Sequence, residues 1–177
     1  MKKLFASVLM CALFIFSFST AQAQYEKGQI DVNLGVGLLP TFFGSGVEST
    51  LPPIGLSVDY GVTDNISVGG YAAYASANFG SGFGSDWKYN YTIIGVRGAY
   101  HFNVNNDRFD PYGGALLGYN IISVDYGDSG ITSGGAASAA AFSVFLGGRY
   151  RFTDNIGAFA ELGYGISILQ LGLNLKF

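Results

Sequence analysis

The last nine residues, Leu169-Gln170-Leu171-Gly172-Leu173-Asn174-Leu175-Lys176-Phe177, set a large apolar side chain at every odd position and a polar residue or glycine at every even one. Side chains on an extended strand point alternately to its two faces, so this spacing builds a strand with one greasy face and one polar face. Seven further segments repeat the pattern. The first sets Ile30, Val32, Leu34, Val36 and Leu38 against Asp31, Asn33, Gly35 and Gly37; the second sets Ile54, Leu56, Val58 and Tyr60 against Gly55, Ser57 and Asp59. The third runs from Ile66 to about Tyr74 and the fourth from about Trp87 to Phe102, with Arg97 and His101 in its polar phase. The fifth runs from about Tyr112 to Ile122, with its phase left open because Leu116 and Leu117 compete for the apolar face. The sixth places Phe142, Val144, Leu146, Tyr150 and Phe152 opposite Ser143, Gly147, Arg149 and Arg151, with Phe145 on the inner face; the seventh places Ala158, Ala160, Leu162 and Tyr164 opposite Gly157, Glu161 and Gly163.

Charged residues make up 12% of the chain, about half the ~25% usual in a soluble domain. Beyond the N-terminal segment, no run approaches the roughly 18 apolar residues of a membrane-spanning helix. A greasy chain without greasy runs fits strands that cross a membrane. The polar phase is mostly Gly, Ser and Asn, which suits a crowded interior and argues against a soluble barrel of the lipocalin type, whose outer face would carry Lys, Glu and Asp. Lipid offers no hydrogen bonds, so the backbone must satisfy itself, and a closed sheet does this without edges. These residues predict an all-β fold: an eight-stranded antiparallel up-and-down transmembrane β-barrel, with the first and eighth strands pairing to close it.

The connections alternate in length. Tyr60-Gly61-Val62-Thr63-Asp64-Asn65-Ile66 recurs as Tyr150-Arg151-Phe152-Thr153-Asp154-Asn155-Ile156. Both read as tight turns in which Asp and Asn bond their own backbone. Asn103 to Asp110 is expected to be a third short turn. Longer connections are expected at about 39–53, 77–86 and 123–139, the last rich in Gly, Ser and Ala, while that around 165–167 is very short. Short turns on the periplasmic side and longer outer loops are the outer-membrane pattern.

Lys2 and Lys3, an apolar stretch from Leu4 to Phe18 and Ala21-Gln22-Ala23 read as a cleaved secretory signal peptide at 1–23, leaving the barrel domain at 24–177. Cys11 lies inside that apolar stretch, so the remainder has no thiol for a disulfide or thiolate metal site. Without Lys2 and Lys3, 7 basic residues face 12 acidic ones, a net charge of −5, and no basic patch points to nucleic acid.

With the Thr-Asp-Asn-Ile turns, the Gly-Val-Arg-Gly-Ala-Tyr-His-Phe and Gly-Gly-Arg-Tyr-Arg-Phe strands, the Phe-Ala-Glu-Leu-Gly-Tyr-Gly strand and the terminal Phe, the chain resembles the small eight-stranded outer-membrane barrels of the OmpA/OmpX/OmpW type, over about 24–177. The resemblance implies a bacterial outer-membrane location, lipid as the surrounding partner, and Phe177 as part of the signal read by the barrel-assembly machinery. It implies little about activity, because one barrel hosts many functions. No peptidoglycan-binding domain is expected after the barrel, so a cell-wall anchoring role is not carried over.

Arg97, Arg149, Arg151 and Glu161 fall on the expected inner face. An eight-stranded barrel is just wide enough for side chains to fill, and charges there must be paired or hydrated. Glu161 is expected to pair with Arg97 or Arg149 and plug the lumen; the alternative is a narrow ion path. Tyr60, Tyr100, Phe102, Tyr150, Phe152 and Phe177 are expected to form an aromatic girdle at the periplasmic strand ends, with Tyr74, Tyr89, Tyr91, Tyr119 and Tyr164 in a second one at the outer ends. His101, the only histidine, is expected near the periplasmic end beside the aromatic belt. A lipid hydrolase would need a nucleophile, base and acid together at the outer leaflet. No such cluster, no Gly-x-Ser-x-Gly element, and no metal-binding or cofactor-binding pattern is present. The expected role is non-enzymatic: structural, or meeting a surface partner or extracellular ligand through the outer loops, including the apolar Leu39, Phe42 and Phe43. The runner-up is a narrow channel for small solutes.

Overall fold

The computed structural model describes residues 25–41, 47–81, 85–104, 106–125 and 134–177. The expected signal peptide, Gln24, and Phe42 and Phe43 lie outside them. Eight strands follow in order: β1 (Ile30–Gly37), β2 (Val47–Gly61), β3 (Ile66–Ser81), β4 (Ser85–His101), β5 (Phe109–Asp125), β6 (Gly134–Arg151), β7 (Ile156–Gly163) and β8 (Leu169–Lys176). Each pairs antiparallel with its sequence neighbours, and β1 pairs with β8 from Asp31↔Lys176 to Gly37↔Gln170, closing the barrel. Ile30 and Phe177 exchange backbone hydrogen bonds at 2.8 and 3.0 Å, so the seam is tied to its last residue.

The alternation decides which face meets the surroundings. Val96 is 66% exposed, Leu117 61% and Leu146 65%, whereas Arg97 is 5% exposed and Arg149 is fully buried. A wall that is apolar outside and charged inside is the reverse of a soluble protein and matches a barrel in lipid. In β5 the tie is settled: Leu116 points inward and Leu117 outward. Leu116 stands directly opposite inward Arg97 and Leu117 opposite outward Val96.

The tight turns form as the Thr-Asp-Asn-Ile repeats suggest, with a different division of labour. Thr63 Oγ1 accepts from Ile66 N (2.9 Å), and Thr153 Oγ1 accepts from Ile156 N (3.0 Å). The Asn side chains instead reach the adjacent strand: Asn155 Nδ2 donates to Lys176 O at 2.8 Å and Asn65 Nδ2 to His101 O at 3.3 Å. Asp64 Oδ1 accepts from Lys27 N at 3.1 Å.

Three expectations are corrected. The stretches read as long outer connections are partly strand: β3 and β4 stay paired from Ile66↔Tyr100 to Ser81↔Ser85, β2 begins at Val47, and β6 begins at Gly134. Beyond the bilayer both faces of a strand are free of lipid, so backbone pairing continues after side-chain alternation stops. The turn expected to end at Asp110 is shorter, because Phe109 and Asp110 already belong to β5, paired with Tyr150 and Arg149. Tyr89 and Tyr91 are not part of an outer girdle: they share the inward phase with Ile93 and Arg97, and Tyr91 packs against the buried cluster of Ala75, Ile93 and Leu116.

Candidate functional site: a charged lumen

The inward phase of the half that carries the chain ends is polar and charged. Arg149, on β6, donates from Nη2 to Asp59 Oδ2 at 2.7 Å, from Nη1 to Asp110 Oδ2 at 3.2 Å, and from Nε to Asn33 Oδ1 at 3.2 Å. Its Nη1 also lies 3.6 Å from Asp31 Oδ2, and its guanidinium covers the Tyr112 ring at 4.4 Å. Asp31 and Asp59 are direct cross-strand partners, and like charges so placed repel. Arg149 contacts both, which removes the conflict.

Above it, Arg97 forks onto Glu161, with Nη2 to Oε2 at 2.8 Å and Nη1 to Oε1 at 3.4 Å. Its Nε lies 3.3 Å from Asp59 Oδ1, and its guanidinium sits 4.0 Å over the Phe145 ring. Tyr112 Oη donates to Glu161 Oε2 at 3.1 Å. Arg151 Nη2 stands 3.8 Å from Asp31 Oδ1. Asn174 Nδ2 bonds Asp31 Oδ1 (2.9 Å) and Asn33 Oδ1 (3.0 Å), and Asn33 Nδ2 donates to Ser57 Oγ at 2.9 Å.

Two glycines make these cross-barrel contacts geometrically possible. Gly69 lies between Asp59 and Arg97 in the lateral row of pairs, and a Cβ there would come 2.6 Å from Asp59 Oδ1. Gly147 lies between Tyr112 and Glu161, and a Cβ there would strike the Tyr112 ring at 2.5 Å. A missing side chain on the middle strand lets residues two strands apart meet.

At the end carrying the termini, His101 is buried inside rather than beside the aromatic belt. Its Nδ1 is 2.8 Å from Asp110 Oδ1 and its Nε2 3.0 Å from Ser67 Oγ. Tyr25 stacks on the imidazole at 3.6 Å between centroids, 14° from parallel. The segment carrying Tyr25 is latched by Gly28 N to Gly61 O (2.8 Å) and Gly61 N to Gln29 O (2.9 Å). Gly28 adopts φ +89°, the left-handed turn that glycine takes without strain. Burial, and then the nearby Asp31 charge, push the Tyr25 phenol above its ordinary range. Ser67, His101 and Asp110 have the connectivity of a hydrolytic triad. Ser67 and Tyr25 are both fully buried and the second oxygen of Asp110 is held by Arg149, so the array is a packed strut with no space for a substrate.

Thus Arg97, Arg149, Arg151 and Glu161 all stand within the lumen, and Glu161 partners Arg97 while Arg149 takes the aspartates. Sequence reasoning missed the roles of Asp31, Asp59 and Asp110. The signal for the first two is their place in the polar phase of otherwise apolar strands; Asp110 falls in a stretch whose residues predict a turn. Outside, Tyr60, Tyr100, Phe102, Tyr150, Phe152 and Phe177 are all exposed at the terminal end of the wall. Tyr100 and Phe102 meet edge to face at 5.3 Å, and Tyr150 and Phe152 at 5.8 Å. Tyr74, Tyr119 and Tyr164 face outward toward the other end. Among the described residues no group of His, Cys, Asp and Glu is arranged to hold a metal.

A family model described as the outer membrane protein beta-barrel domain matches residues 8–177. Among solved structures, the chain is similar to the outer membrane protein OprG from Pseudomonas aeruginosa, at 17% identity and a TM-score of 0.59 over 88% of this chain and 98% of that one. It is similar to the N-terminal β-barrel domain of Pseudomonas aeruginosa OprF, at 20% identity and 0.55 over 85% and 98%. It is also similar to Ail, the attachment invasion locus protein of Yersinia pestis, in complex with the heparin analogue sucrose octasulfate, at 15% identity and 0.57 over 85% and 99%. At these identities the likeness shows the fold alone. No curated protein matches the chain.

Proposed function

The chain belongs to the outer membrane protein beta-barrel family and resides in the bacterial outer membrane, and from that premise we propose that it is a closed, non-enzymatic barrel with a structural or surface-interaction role. The observation that carries this reading is the buried bridge from Asp59 through Arg97 to Glu161, with Arg149 beneath it. Three guanidiniums and four carboxylates pack across the half of the lumen nearest the termini, where a barrel of eight strands is filled by its own side chains. A conducting path needs hydrated space between such charges, and their 2.7–3.3 Å contacts leave none there.

Surface interaction falls to the end opposite the termini, where β2 to β6 continue past the short β7, β8 and β1. The register puts Glu48, Asp86 and Asp125 at that end, against Lys88. The other described basic residues are inside or at the terminal end. A neutral or cationic partner suits this distribution; a polyanion such as the one bound to Ail does not. Residues 1–23 serve in this reading as the removed signal peptide, and Phe177, with its side chain exposed beside the seam, as the assembly signal.

The test is single-channel recording of the refolded barrel, 24–177, in a planar bilayer, on a sample whose folded band shifts on heating in a detergent gel. Silence is the expected result. Discrete steps that change in Glu161→Gln would overturn the plug and move the functional site into the lumen.

A further inference from the structure

Where β2 to β6 run on past the closed ring, the sheet they form has two edges. One edge is β2. Its pairs with β1 end at Val36↔Ile54, so from there toward Val47 only β3 flanks it among the described residues. The other edge is β6, whose last pair with β7 is Phe145↔Gly163. One more bond follows, from Tyr164 N to Val144 O at 3.3 Å. Farther along, only β5 flanks β6 among the described residues.

The two edges are not protected alike. Unpaired N–H and C=O groups along an edge are a template for another extended chain, and proteins guard them with charge, proline and bulges. β2 has all three guards: Glu48, Pro52 and Pro53 without N–H, and register shifts between Ser49 and Leu51 and between Leu51 and Ile54. β6 from Ala137 to Phe142 has none. It reads Ala-Ser-Ala-Ala-Ala-Phe, and its register against β5 is unbroken from Ile122↔Ala137 to Leu117↔Phe142. Ser138, Ala139 and Ala140 are all exposed, so both faces of the strand are open there. The two main-chain groups of one strand residue point to the same side, and those of the next residue to the other. Val144 O turns toward β7. By that parity Phe142, Ala140 and Ser138 each turn a donor and an acceptor to the open side.

We propose that β6 takes an added strand on this edge: an extended segment of a partner protein, small in its side chains and neutral or basic, antiparallel to β6 and continuing the line of β7. This choice of partner rests on the surface-interaction reading above. In strand addition the main-chain hydrogen bonds supply the affinity, and the small side chains of β6 leave its backbone open to approach. Asp125 on the adjacent β5, with Glu48 and Asp86 at the same end, disfavours an acidic segment. A second copy in the same membrane cannot supply the strand. Its own β6 or β2, laid along this edge, would run down into a barrel standing where β7 already is.

The experiment is fluorescence anisotropy of a labelled peptide, Lys-Thr-Ala-Thr-Ala-Thr-Lys, titrated with the folded barrel in phosphatidylcholine nanodiscs and with empty nanodiscs. A second peptide has the same side chains with every backbone nitrogen methylated. Saturable binding of one peptide per barrel is expected, at least tenfold weaker for the methylated peptide, which has lost its main-chain donors. Ala140→Pro removes an N–H from the open side and leaves the pairing with β5 in place; it should weaken binding about tenfold. Heat-shifted gel mobility establishes that the variant is folded, and the methylated peptide carries the test if it is not. Binding no greater than to empty nanodiscs overturns the proposal. Equal binding of the two peptides, or binding unchanged in folded Ala140→Pro, overturns it as well. The closed-barrel reading fails separately, by the conductance steps described above.

Discussion

Removing Arg149 should be the most damaging single change inside the barrel. In Arg149→Met the side chain keeps its apolar stem and loses its charge, leaving Asp31, Asp59 and Asp110 buried with their shared cation gone. At the observed 2.7, 3.2 and 3.6 Å, each Coulomb attraction is about 5–6 kcal/mol at an effective dielectric of about 20. Desolvation of the charges offsets most of that gain, and breaking a buried pair by removing one partner typically costs about 3–5 kcal/mol. Asp59 keeps Arg97, Asp31 keeps Arg151 and Asp110 keeps His101, but all three lose a contact at once, so the upper part of that range is expected. The assay is urea unfolding of the lipid-embedded barrel, followed by tryptophan fluorescence and gel mobility. With a slope of about 2 kcal/mol/M, the midpoint should fall by roughly 2 M. Adding Asp59→Asn to Arg149→Met should restore more than about 1 kcal/mol, because the Asp31–Asp59 repulsion that Arg149 had offset disappears. Arg108→Met, at an exposed turn position, should stay within about 0.5 kcal/mol of the parent. A loss below about 1 kcal/mol for Arg149→Met, or no recovery in the double variant, would refute the view that the cluster is a dry, mutually neutralised plug.

Glu161→Gln should lose about 1.5–3 kcal/mol, the worth of a charge-assisted hydrogen bond, in the same unfolding assay while the barrel stays electrically silent. The raised Tyr25 phenol has a signed consequence for pH. Its proton is held more tightly in the folded state, so the stability it contributes is complete below the unfolded tyrosine value near pH 10 and declines as pH rises beyond it. Unfolding midpoints measured upward from pH 9 should therefore fall more steeply for the parent than for Tyr25→Phe; parallel curves would dismiss the buried phenol. Val96→Arg, on the outward face of β4, should cost about 2–4 kcal/mol in lipid if that position sits near the bilayer midplane, whereas a neutral effect would place this face in water.

Much of the barrel could be read locally because its wall obeys a local rule. In β1, β8 and the membrane half of β4, one phase is Leu, Val and Ile and the other Asn, Gly and Arg, so period, face and closure follow from residues a few positions apart. The Thr-Asp-Asn-Ile repeats placed two turns for the same reason. Legibility failed where the rule lapses. Gly134 to Ala141 reads Gly-Gly-Ala-Ala-Ser-Ala-Ala-Ala and has no phase, yet it is strand, because β5 supplies a partner for its backbone. Tyr91 looked like a girdle residue by its distance from the membrane centre, and only its odd-numbered register beside Ile93 turns it inward.

The lumen divides the same way. That Arg97, Arg149 and Glu161 face inward follows from parity alone. Which acid each arginine meets does not, since Arg149 and Asp59 are 90 residues apart in the chain. That pairing depends on closure of β1 on β8, which sets the height of every strand around the ring, and on Gly69 and Gly147, which leave gaps in the lateral rows. Alternation is a property of neighbouring residues, so the two-faced wall and the kind of solvent each face needs are written locally. The ion-pair network and the Ser67–His101–Asp110 strut beneath Tyr25 arise only on folding, because each depends on where distant strands fall once the sheet has closed.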